Sequence, residues 1–341
     1  IQADLVLDNK IIECELLPEE KGNYKIHLTE EDVSPTKINE IYNDIDNKLL
    51  DLRSVKATSS KKTSDLCYGL LNTIEDAYKK KLQLLGIDYG WECVNDVTEG
   101  LQLGELVILG ARPSIGKTAF ALQLAGNICK QNIRCCIFSL EMSAESLCTR
   151  MVSAESGIGI RQIRYGQCLC SKSTIVKLNS AMERVYAMPL DIYDEDVKDE
   201  EMLISAIKYE HKTKGTKVFF IDHLGLLPSS SKNKKRHEQL DEITHKLQKL
   251  AQKLKISVVA LCQLRRDSEG KCPTLADLRD SGAIEQNADV CMFLHRERST
   301  GIEEQIETQL IVIKNRNGNC GTAKLNFMPR YTKFIEEKKK E

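Results

Sequence analysis

A short stretch in the first half of the chain carries the residue types that bind nucleotide phosphates. Residues 111–119 read Ala-Arg-Pro-Ser-Ile-Gly-Lys-Thr-Ala, between an apolar run that ends at Gly110 and an apolar stretch with helical spacing at 120–125. A strand, a tight loop and a helix in this order point backbone N–H groups and a helix N-terminus at an anion. The sequence predicts a phosphate-binding loop, with an ordinary strand-to-helix turn as the alternative.

The side chains of this loop suit a triphosphate bound together with Mg²⁺. Lys117 is predicted to reach the outer phosphates, and the Thr118 hydroxyl to take a place on Mg²⁺. One departure is visible, because Ala111 stands where such loops usually have their first glycine and Gly110 comes one residue early. The expected contacts with ATP come from Ser114, Gly116, Lys117, Thr118 and Ala119.

Three polar residues stand where other apolar runs end. Asp222 follows Val-Phe-Phe-Ile and is predicted to hold Mg²⁺ with Thr118, the alternative being a helix cap. Glu141 follows Ile-Phe-Ser-Leu and is predicted to orient and deprotonate the attacking water, unless it caps the helix that starts near Ser143. Gln263 is predicted to hydrogen-bond the γ-phosphate, or else to be a satisfied polar strand end.

A basic turn at 314–318, Lys-Asn-Arg-Asn-Gly, holds two cations in a fixed local geometry. Lys314 and Arg316 would suit the charge of a transferring phosphoryl group, supplied within one chain or by a neighbouring copy. By spacing alone, however, the stretch is an exposed basic hairpin.

The elements that must position these residues alternate between strands and helices after Gly86. Helical patterns, notably 240–254, separate most of the earlier strands. Short apolar strands between helices predict an α/β fold whose largely parallel sheet is covered on both faces and binds ligands beyond its carboxyl ends. Strands are predicted at 106–110, 135–140, 217–221, 256–261, 288–294, 308–314 and 322–327.

No catalytic motif precedes Gly86. Residues 1–36 alternate apolar patches with charges and are predicted to form a few strands or the remnant of a small domain. Helical spacing predicts helices over 38–52 and 66–84, joined by a polar linker at 56–64. The predicted domains are an N-terminal remnant at 1–36, a helical linker region at 37–84 and an α/β ATPase domain at 85–341.

Composition restricts the class of protein. With 341 residues, 41% of them hydrophobic and 29% charged, the chain resembles an ordinary soluble globular protein, and its net charge of −1 gives no global attraction to nucleic acid. Any DNA contact must come from local basic loops. No apolar run is long enough to cross a bilayer. Because the chain begins at Ile1 rather than methionine, we expect an N-terminal piece to precede it.

Cysteine usage indicates a reducing compartment. The thirteen cysteines include no Cys-x-x-Cys pair, which argues against a zinc site and favours reduced thiols, several of them buried as small apolar residues. We therefore expect a cytoplasmic protein.

Taken together and in order, these motifs resemble the motor domain of DnaB-type replicative helicases over residues 84–335. The resemblance implies a RecA-like ATPase fold, a hexameric ring around one DNA strand, and ATP with Mg²⁺ bound between subunits. It includes the alanine at the first position of the phosphate loop. The stretches that carry it are 110–122, 138–142, 220–222, 260–264, 277–289 and 314–318.

The resemblance also implies roles for individual residues. It retains the roles argued above for five residues: Lys117, Thr118, Glu141, Asp222 and Gln263. Arg150 matches a nucleotide-contacting arginine, while Lys314 and Arg316 match the pair that reaches the γ-phosphate of a neighbouring subunit. A lone subunit should then hydrolyse ATP poorly.

Two loops match the family's DNA-contacting loops in the ring's centre. Arg279, Asp280 and Gly282 match the pore loop that follows the phosphates of the single strand, although Arg279 and Asp280 could also be a surface ion pair at a helix start. The second loop includes Lys234, Lys235 and Arg236, with a solvated basic loop as the alternative. Sequence-independent binding of this kind needs only backbone N–H groups and a few cations.

Some features depart from the family. His223 replaces the usual tyrosine after Asp222, and His245 takes a place normally held by arginine; we expect neither to touch the core chemistry, although both could alter coupling. Residues 1–36 do not resemble the family's N-terminal collar, which puts primase and loader binding in doubt. The segment 38–84 fits the linker, including a helix that docks on the next subunit.

The resemblance implies ATP-dependent movement on single-stranded DNA and duplex unwinding, and it suggests 5′-to-3′ polarity. Two rivals remain open: another RecA-like ATPase, such as a recombinase or a clock-type kinase, and an ATP-gated DNA-binding module without turnover. A water-orienting Glu141 argues against the second.

Overall fold

The computed structural model describes residues 2–7, 10–19, 23–28, 62–80, 84–194, 197, 199–228, 235–264, 272–278, 282–297 and 304–337. The chain divides into two compact units, Ile1–Lys81 and Leu82–Glu341. The finer division at 36/37 stays a prediction. Among the described residues, no helix is both long enough and apolar enough to cross a membrane.

The first unit contains a small antiparallel sheet and a helix. Strands β1 (Gln2–Leu7), β2 (Lys10–Glu19) and β3 (Asn23–Leu28) pair in the order β1-β2-β3. Helix α1 runs over Thr63–Lys80, so it starts inside the stretch predicted as linker and ends before the predicted residue 84. The helix predicted at 38–52 lies outside the described residues.

The second unit alternates strands and helices as its sequence pattern predicts. Its strands are β4 (Leu106–Ala111), β5 (Cys135–Ser139), β6 (Leu190–Tyr193), β7 (Val218–Asp222), β8 (Ser257–Gln263), β9 (Val290–His295), β10 (Ile306–Asn315), β11 (Gly321–Met328) and β12 (Lys333–Glu336). Its α-helices within the described residues are α2 (Glu92–Thr98), α3 (Lys117–Cys129), α4 (Ala144–Ser156), α5 (Ile160–Arg164), α6 (Lys172–Tyr186), α7 (Glu200–Lys214), α8 (Arg236–Leu254) and α9 (Gly282–Asn287).

Within the described residues, the nine strands of this unit form one sheet in the order β12-β11-β10-β9-β4-β8-β7-β5-β6. The strands from β9 to β6 are mutually parallel, whereas β10, β11 and β12 add an antiparallel extension at one side. The predicted largely parallel α/β sheet is confirmed. In the parallel part, β4 lies between β8 and β9, so the phosphate loop leaves the sheet near its middle.

Two apolar layers cover the two faces of the sheet. Because side chains alternate along a strand, Val107 and Leu109 of β4 join the layer that contains α3, whereas Leu106 and Ile108 join the layer that contains α8. Every residue of β4 is buried. This double coverage explains why the central strands are almost continuously apolar.

The cysteines whose side chains the structure describes are free thiols, and six of them are buried: Cys129, Cys135, Cys136, Cys168, Cys262 and Cys291. Burial raises the pKa of the Cys262 thiol to about 12. A thiol in such surroundings stays protonated and packs as a small apolar group.

Two strands were absent from the prediction. Strand β6, Leu-Asp-Ile-Tyr, lies at an edge of the sheet and is only half-buried, so its composition lacks the continuous apolar signal of a central strand. Strand β12 is four residues long at the opposite edge. A short edge strand forms because of the strand that it pairs with, so its own sequence carries little signal for prediction.

Gly110 is needed inside β4 because of its neighbours. A Cβ atom at this position would lie 2.6 Å from Cδ1 of Phe293 and 3.1 Å from Cδ2 of Leu264. We expect Gly110→Ala to lower the free energy of unfolding by about 1–3 kcal/mol, because the core must shift to admit the methyl group. Urea unfolding followed by circular dichroism measures this change.

The matched control is Gly126→Ala in α3, where the nearest atom to a new Cβ is Cε of Met188 at 3.6 Å. This distance is an ordinary contact, and alanine favours the helix by about 1 kcal/mol over glycine. Equal destabilisation by the two substitutions would contradict the steric explanation.

Candidate active site

The phosphate loop joins β4 to α3 and has the backbone shape that an anion requires. Gly116 has φ 106° and precedes the first residue of α3, and Ser114 also lies in the left-handed region at φ 64°. A Cβ atom on Gly116 would lie 3.3 Å from the rings of Phe327 and Phe334, so packing as well as φ favours glycine here. Successive N–H groups at the start of α3 are thereby available to a phosphate.

Three predicted residues meet at the carboxyl edge of the sheet. The Thr118 hydroxyl donates to Oδ2 of Asp222 at 2.6 Å, and Nζ of Lys117 lies 3.5 Å from Oδ1 of the same carboxylate. Both charged side chains are largely buried, at 12% and 4% exposure. Strand β8 separates β4 from β7, and the parallel order places both strand ends at one edge. Asp222 therefore does not act as an isolated helix cap.

The residues present fit a Mg²⁺ ion. Oδ1 of Asp222 is buried and has no hydrogen-bond partner among the described residues. A carboxylate oxygen and the Thr118 hydroxyl beside it are the hard oxygen ligands that Mg²⁺ prefers. Thr118 and Asp222 could hold such an ion next to the phosphate loop.

Glu141 lies directly beside this group. The backbone N–H of Leu140 donates to the carbonyl of Asp222 at 2.6 Å, which brings the end of β5 against the end of β7. The alternative that Glu141 caps the next helix is wrong, since Ser143 is the N-cap of α4 and its side chain accepts from the N–H of Ser146. The Glu141 side chain is 55% exposed and is thus open to a ligand.

His223 contacts Glu141, which the sequence did not predict. Nδ1 of His223 lies 3.2 Å from Oε2 of Glu141, so the expectation that His223 stays away from the core chemistry is wrong. Burial, reinforced by the Lys117 ammonium, lowers the pKa of the His223 imidazole, although Glu141 and Asp222 oppose this. A neutral ring then donates from Nδ1 to the carboxylate. The only sequence signal for His223 was its position after a strand-end aspartate. The other unusual histidine, His245, is exposed on α8.

Arg150 and Gln263 complete the surroundings of the loop. Burial lowers the pKa of Arg150, and the nearby Arg164 guanidinium lowers it further, while Asp222 and Glu141 oppose both effects. Nε of Arg150 is buried without a hydrogen-bond partner among the described residues. Gln263 ends β8 opposite Ala111 in the register, at the entrance of the phosphate loop.

Arg296 is a second residue that sequence reasoning missed. It directly follows the end of β9, and NH2 of its guanidinium donates to the carbonyl of Ser114, while the group lies 5.2 Å from the centre of the Phe327 ring. Arg296 therefore holds the phosphate loop from the neighbouring strand. Its place after an apolar run was the available signal.

Lys314 and Arg316 lie at the opposite edge of the sheet. The backbone N–H of Arg316 donates to the carbonyl of Asp289, just before β9, and Asp289 in turn bonds Leu106 at the start of β4. From Leu106 to Ala111 a strand rises roughly 17 Å. The two cations therefore cannot act on a nucleotide held by the loop of their own chain in this structure.

The described part of the chain includes half of the predicted DNA-contacting residues. Gly282 is the first residue of α9, and Lys235 is exposed just before α8. NH2 of Arg236 donates to the carbonyls of Gly225 and Leu227 at 2.9 and 2.8 Å, so this guanidinium also holds the preceding turn. The rest lie outside the described residues: Lys234, Arg279 and Asp280.

Several known proteins are similar to this chain in sequence. The replicative DNA helicase DnaB of Treponema pallidum is 39% identical over 293 residues, which cover 84% of this chain and 65% of that protein. The replicative DNA helicase DnaB of Geobacillus stearothermophilus is 34% identical over 310 residues, covering 88% of this chain and 67% of the relative. The chain thus spans about two thirds of the length of these relatives.

Solved structures are also similar to this chain. An ATPase domain of known structure superimposes with a TM-score of 0.75 at 28% identity, covering 82% of this chain and 100% of that one. A DnaB-like replicative helicase described with its interactions with primase has a TM-score of 0.72 at 27% identity, covering 89% of this chain and 75% of the other. Residues 86–336 match the family of the DnaB-like helicase C terminal domain, so the chain belongs to that family.

Proposed function

We propose that this chain is the motor of a replicative DNA helicase, in which ATP hydrolysis between neighbouring copies drives movement along single-stranded DNA. The observation that carries the proposal is the meeting of Lys117, Thr118 and Asp222 at the end of β4 and β7, with Glu141 beside them. A cation, a hydroxyl, a buried carboxylate and a second, accessible carboxylate are the parts that nucleotide hydrolysis needs.

Each residue has a separate task in this mechanism. The loop N–H groups and Lys117 bind the outer phosphates, and Mg²⁺, when bound by Thr118 and Asp222, supplies positive charge that neutralises the phosphate oxygens. Glu141 accepts a proton from the attacking water and orients it toward the γ-phosphate. Arg150 adds positive charge from α4, and Gln263 detects the γ-phosphate from the end of β8.

His223 keeps Glu141 in place. A neutral imidazole that donates to one carboxylate oxygen leaves the other oxygen free to bind water. The histidine is 11% exposed in its side chain, so its own position is determined by packing.

Lys314 and Arg316 act on the nucleotide of a neighbouring copy. Their position at the amino edge of the sheet supports contact between unlike surfaces of two copies, the arrangement that closes into a ring. The proposed assembly is a hexamer on single-stranded DNA, moving 5′ to 3′. DNA contacts come from Lys234, Lys235, Arg236, Arg279, Asp280 and Gly282. Primase and a helicase loader are further proposed partners.

Strand displacement on a forked DNA tests the function. We expect the chain to unwind the fork with ATP and Mg²⁺, and Lys117→Ala to reduce ATP turnover about a hundredfold or more, because the outer phosphates lose their cation. Native mass spectrometry run beside the assay reports the assembly.

The control for this variant is Lys130→Ala, which removes a half-exposed lysine just after the other end of α3. It should unwind DNA as the unchanged protein does. Turnover that survives Lys117→Ala would refute the proposed site, and ATP-driven assembly without unwinding would favour a binding module or another RecA-like ATPase.

A site shared between copies predicts complementation. Arg316→Ala and Lys117→Ala chains should each be inactive, whereas an equal mixture should regain about a quarter of the turnover, because about one interface in four joins an intact loop to an intact arginine. Steady-state ATP turnover after mixing and reassembly measures the recovery. The negative control is a mixture of Lys117→Ala chains with chains that carry both substitutions, which should stay inactive. If the mixture of the two single variants is equally inactive, action across the interface is excluded.

His223→Phe tests the support of Glu141. Losing a hydrogen bond of about 1 kcal/mol should lower kcat about fivefold, while KM for ATP changes little. The comparison is His211→Phe, which removes a contact of similar kind between Nδ1 of His211 and the carbonyl of Thr216 far along the sheet. An unchanged kcat, or an equal loss in both variants, would count against the role of His223.

A further inference from the structure

The side chains of Lys314 and Arg316 are bound to their own chain in this structure. Nζ of Lys314 donates to the carbonyl of Glu285 at 2.6 Å. NH1 of Arg316 donates to Oδ1 of Asp289 at 3.0 Å, and NH2 donates to the carbonyl of Gln286 at 2.8 Å. A guanidinium held by both terminal nitrogens cannot swing across to a neighbour's phosphate without giving up at least one of these bonds.

Asp289 is a fixed anchor for this arginine. It is 4% exposed, and its Oδ2 accepts from the N–H of Leu106 at 2.9 Å. Its Oδ1 accepts from Nε2 of Gln248 at 3.0 Å in addition to the Arg316 bond. Three donors therefore converge on one buried carboxylate, and only the arginine among them carries charge and is exposed enough, at 44%, to leave.

The anchor also lies where two helices converge. Helix α8 supplies Gln248, and the last residue of α9, Asn287, donates to Oδ1 of Asp241 at 2.8 Å and to Oγ1 of Thr244 at 3.0 Å, both on α8. Helix α9 is only about 9 Å long. A displacement at its start, Gly282, would therefore reach the carbonyls of Glu285 and Gln286, which hold Lys314 and Arg316.

We propose that Asp289 is a positioning residue that keeps Arg316 withdrawn, and that DNA contact at the starts of α8 and α9 releases the arginine toward the neighbouring copy's nucleotide. The inference rests on the proposed action of Arg316 across the interface and on the proposed DNA contacts at the starts of α8 and α9. In this proposal, DNA binding controls when Arg316 reaches the γ-phosphate of the neighbouring copy. DNA contact is thereby coupled to a residue at the amino edge of the sheet. Turnover without DNA is slow because Arg316 remains on Asp289.

Asp289→Asn separates this role from simple support of the fold. The asparagine amide can accept from Leu106 and donate to Gln248 once the Gln248 amide turns over, so both neutral partners stay satisfied. Arg316 then faces an N–H group instead of a carboxylate oxygen and loses its anchor.

The experiment measures ATP turnover with and without an oligo-dT strand at saturating ATP. We expect Asp289→Asn to raise DNA-independent turnover about fivefold, the lower end of the usual coupling between sites, and to reduce the stimulation by DNA by the same factor. In an Arg316→Ala background, which is expected to be inactive, the substitution should not raise turnover, whereas a rise that arises by any route other than Arg316 would persist there.

A second variant should act in the opposite direction. Gln248→Leu removes a competing donor from Asp289 without changing its charge, so the carboxylate depends more on Arg316. DNA-independent turnover should fall and the stimulation by DNA should rise. This variant keeps the inference testable if Asp289→Asn lowers the melting temperature too far for assay.

The matched control is Asp191→Asn, which breaks an aspartate–arginine pair with Arg134 at 3.1 Å at the β6 side of the sheet. It should leave both rates unchanged. Equal rates in Asp289→Asn and the unchanged protein, a loss of both rates, or a rise that persists without Arg316 would each overturn the inference. If Arg316→Ala alone has full turnover, the proposed action across the interface fails instead.

Discussion

The contact of the Asp222 carboxylate with Lys117 and Thr118 is the interaction around which the rest of the candidate site is arranged. It joins the end of β7 to the first residues of α3 across β8. Burying an ammonium and a carboxylate costs solvation that their mutual attraction only partly returns, so this pair is weak evidence for stability. Oδ1 of Asp222 is buried in this contact and has no hydrogen-bond partner in the described part of the chain, which indicates instead a site prepared for a ligand.

The direction of the parallel strands divides the chemistry between two edges. The carboxyl edge collects the phosphate loop, Asp222, Glu141 and Gln263, because every parallel strand ends there. The amino edge collects Arg316 and the buried carboxylate that holds it. One sheet therefore presents the candidate site and the Arg316 cation on different surfaces, which the proposed ring of identical copies would bring together.

Much of this arrangement could be predicted from the residues. Features that depend only on neighbouring residues can be recognised in the sequence. They include the strand–loop–helix order around Lys117, the apolar runs of the central strands and the strand-end position of Asp222. Strand β6 and strand β12 left no such signal, because a short edge strand is stabilised by the partner beside it. Arg296 was missed for a related reason, since its contact with Ser114 joins residues far apart in the chain.

The sequence by itself determined the fold class, the family and the residue types available for nucleotide chemistry, because periodicity, turn residues and motif spacing are properties of neighbouring residues. Only the tertiary structure decided that His223 contacts Glu141 and that Arg316 lies away from its own phosphate loop. Each of these depends on which strand ends share an edge. Strand order is set by packing over the whole sheet, and no single stretch of the chain encodes it.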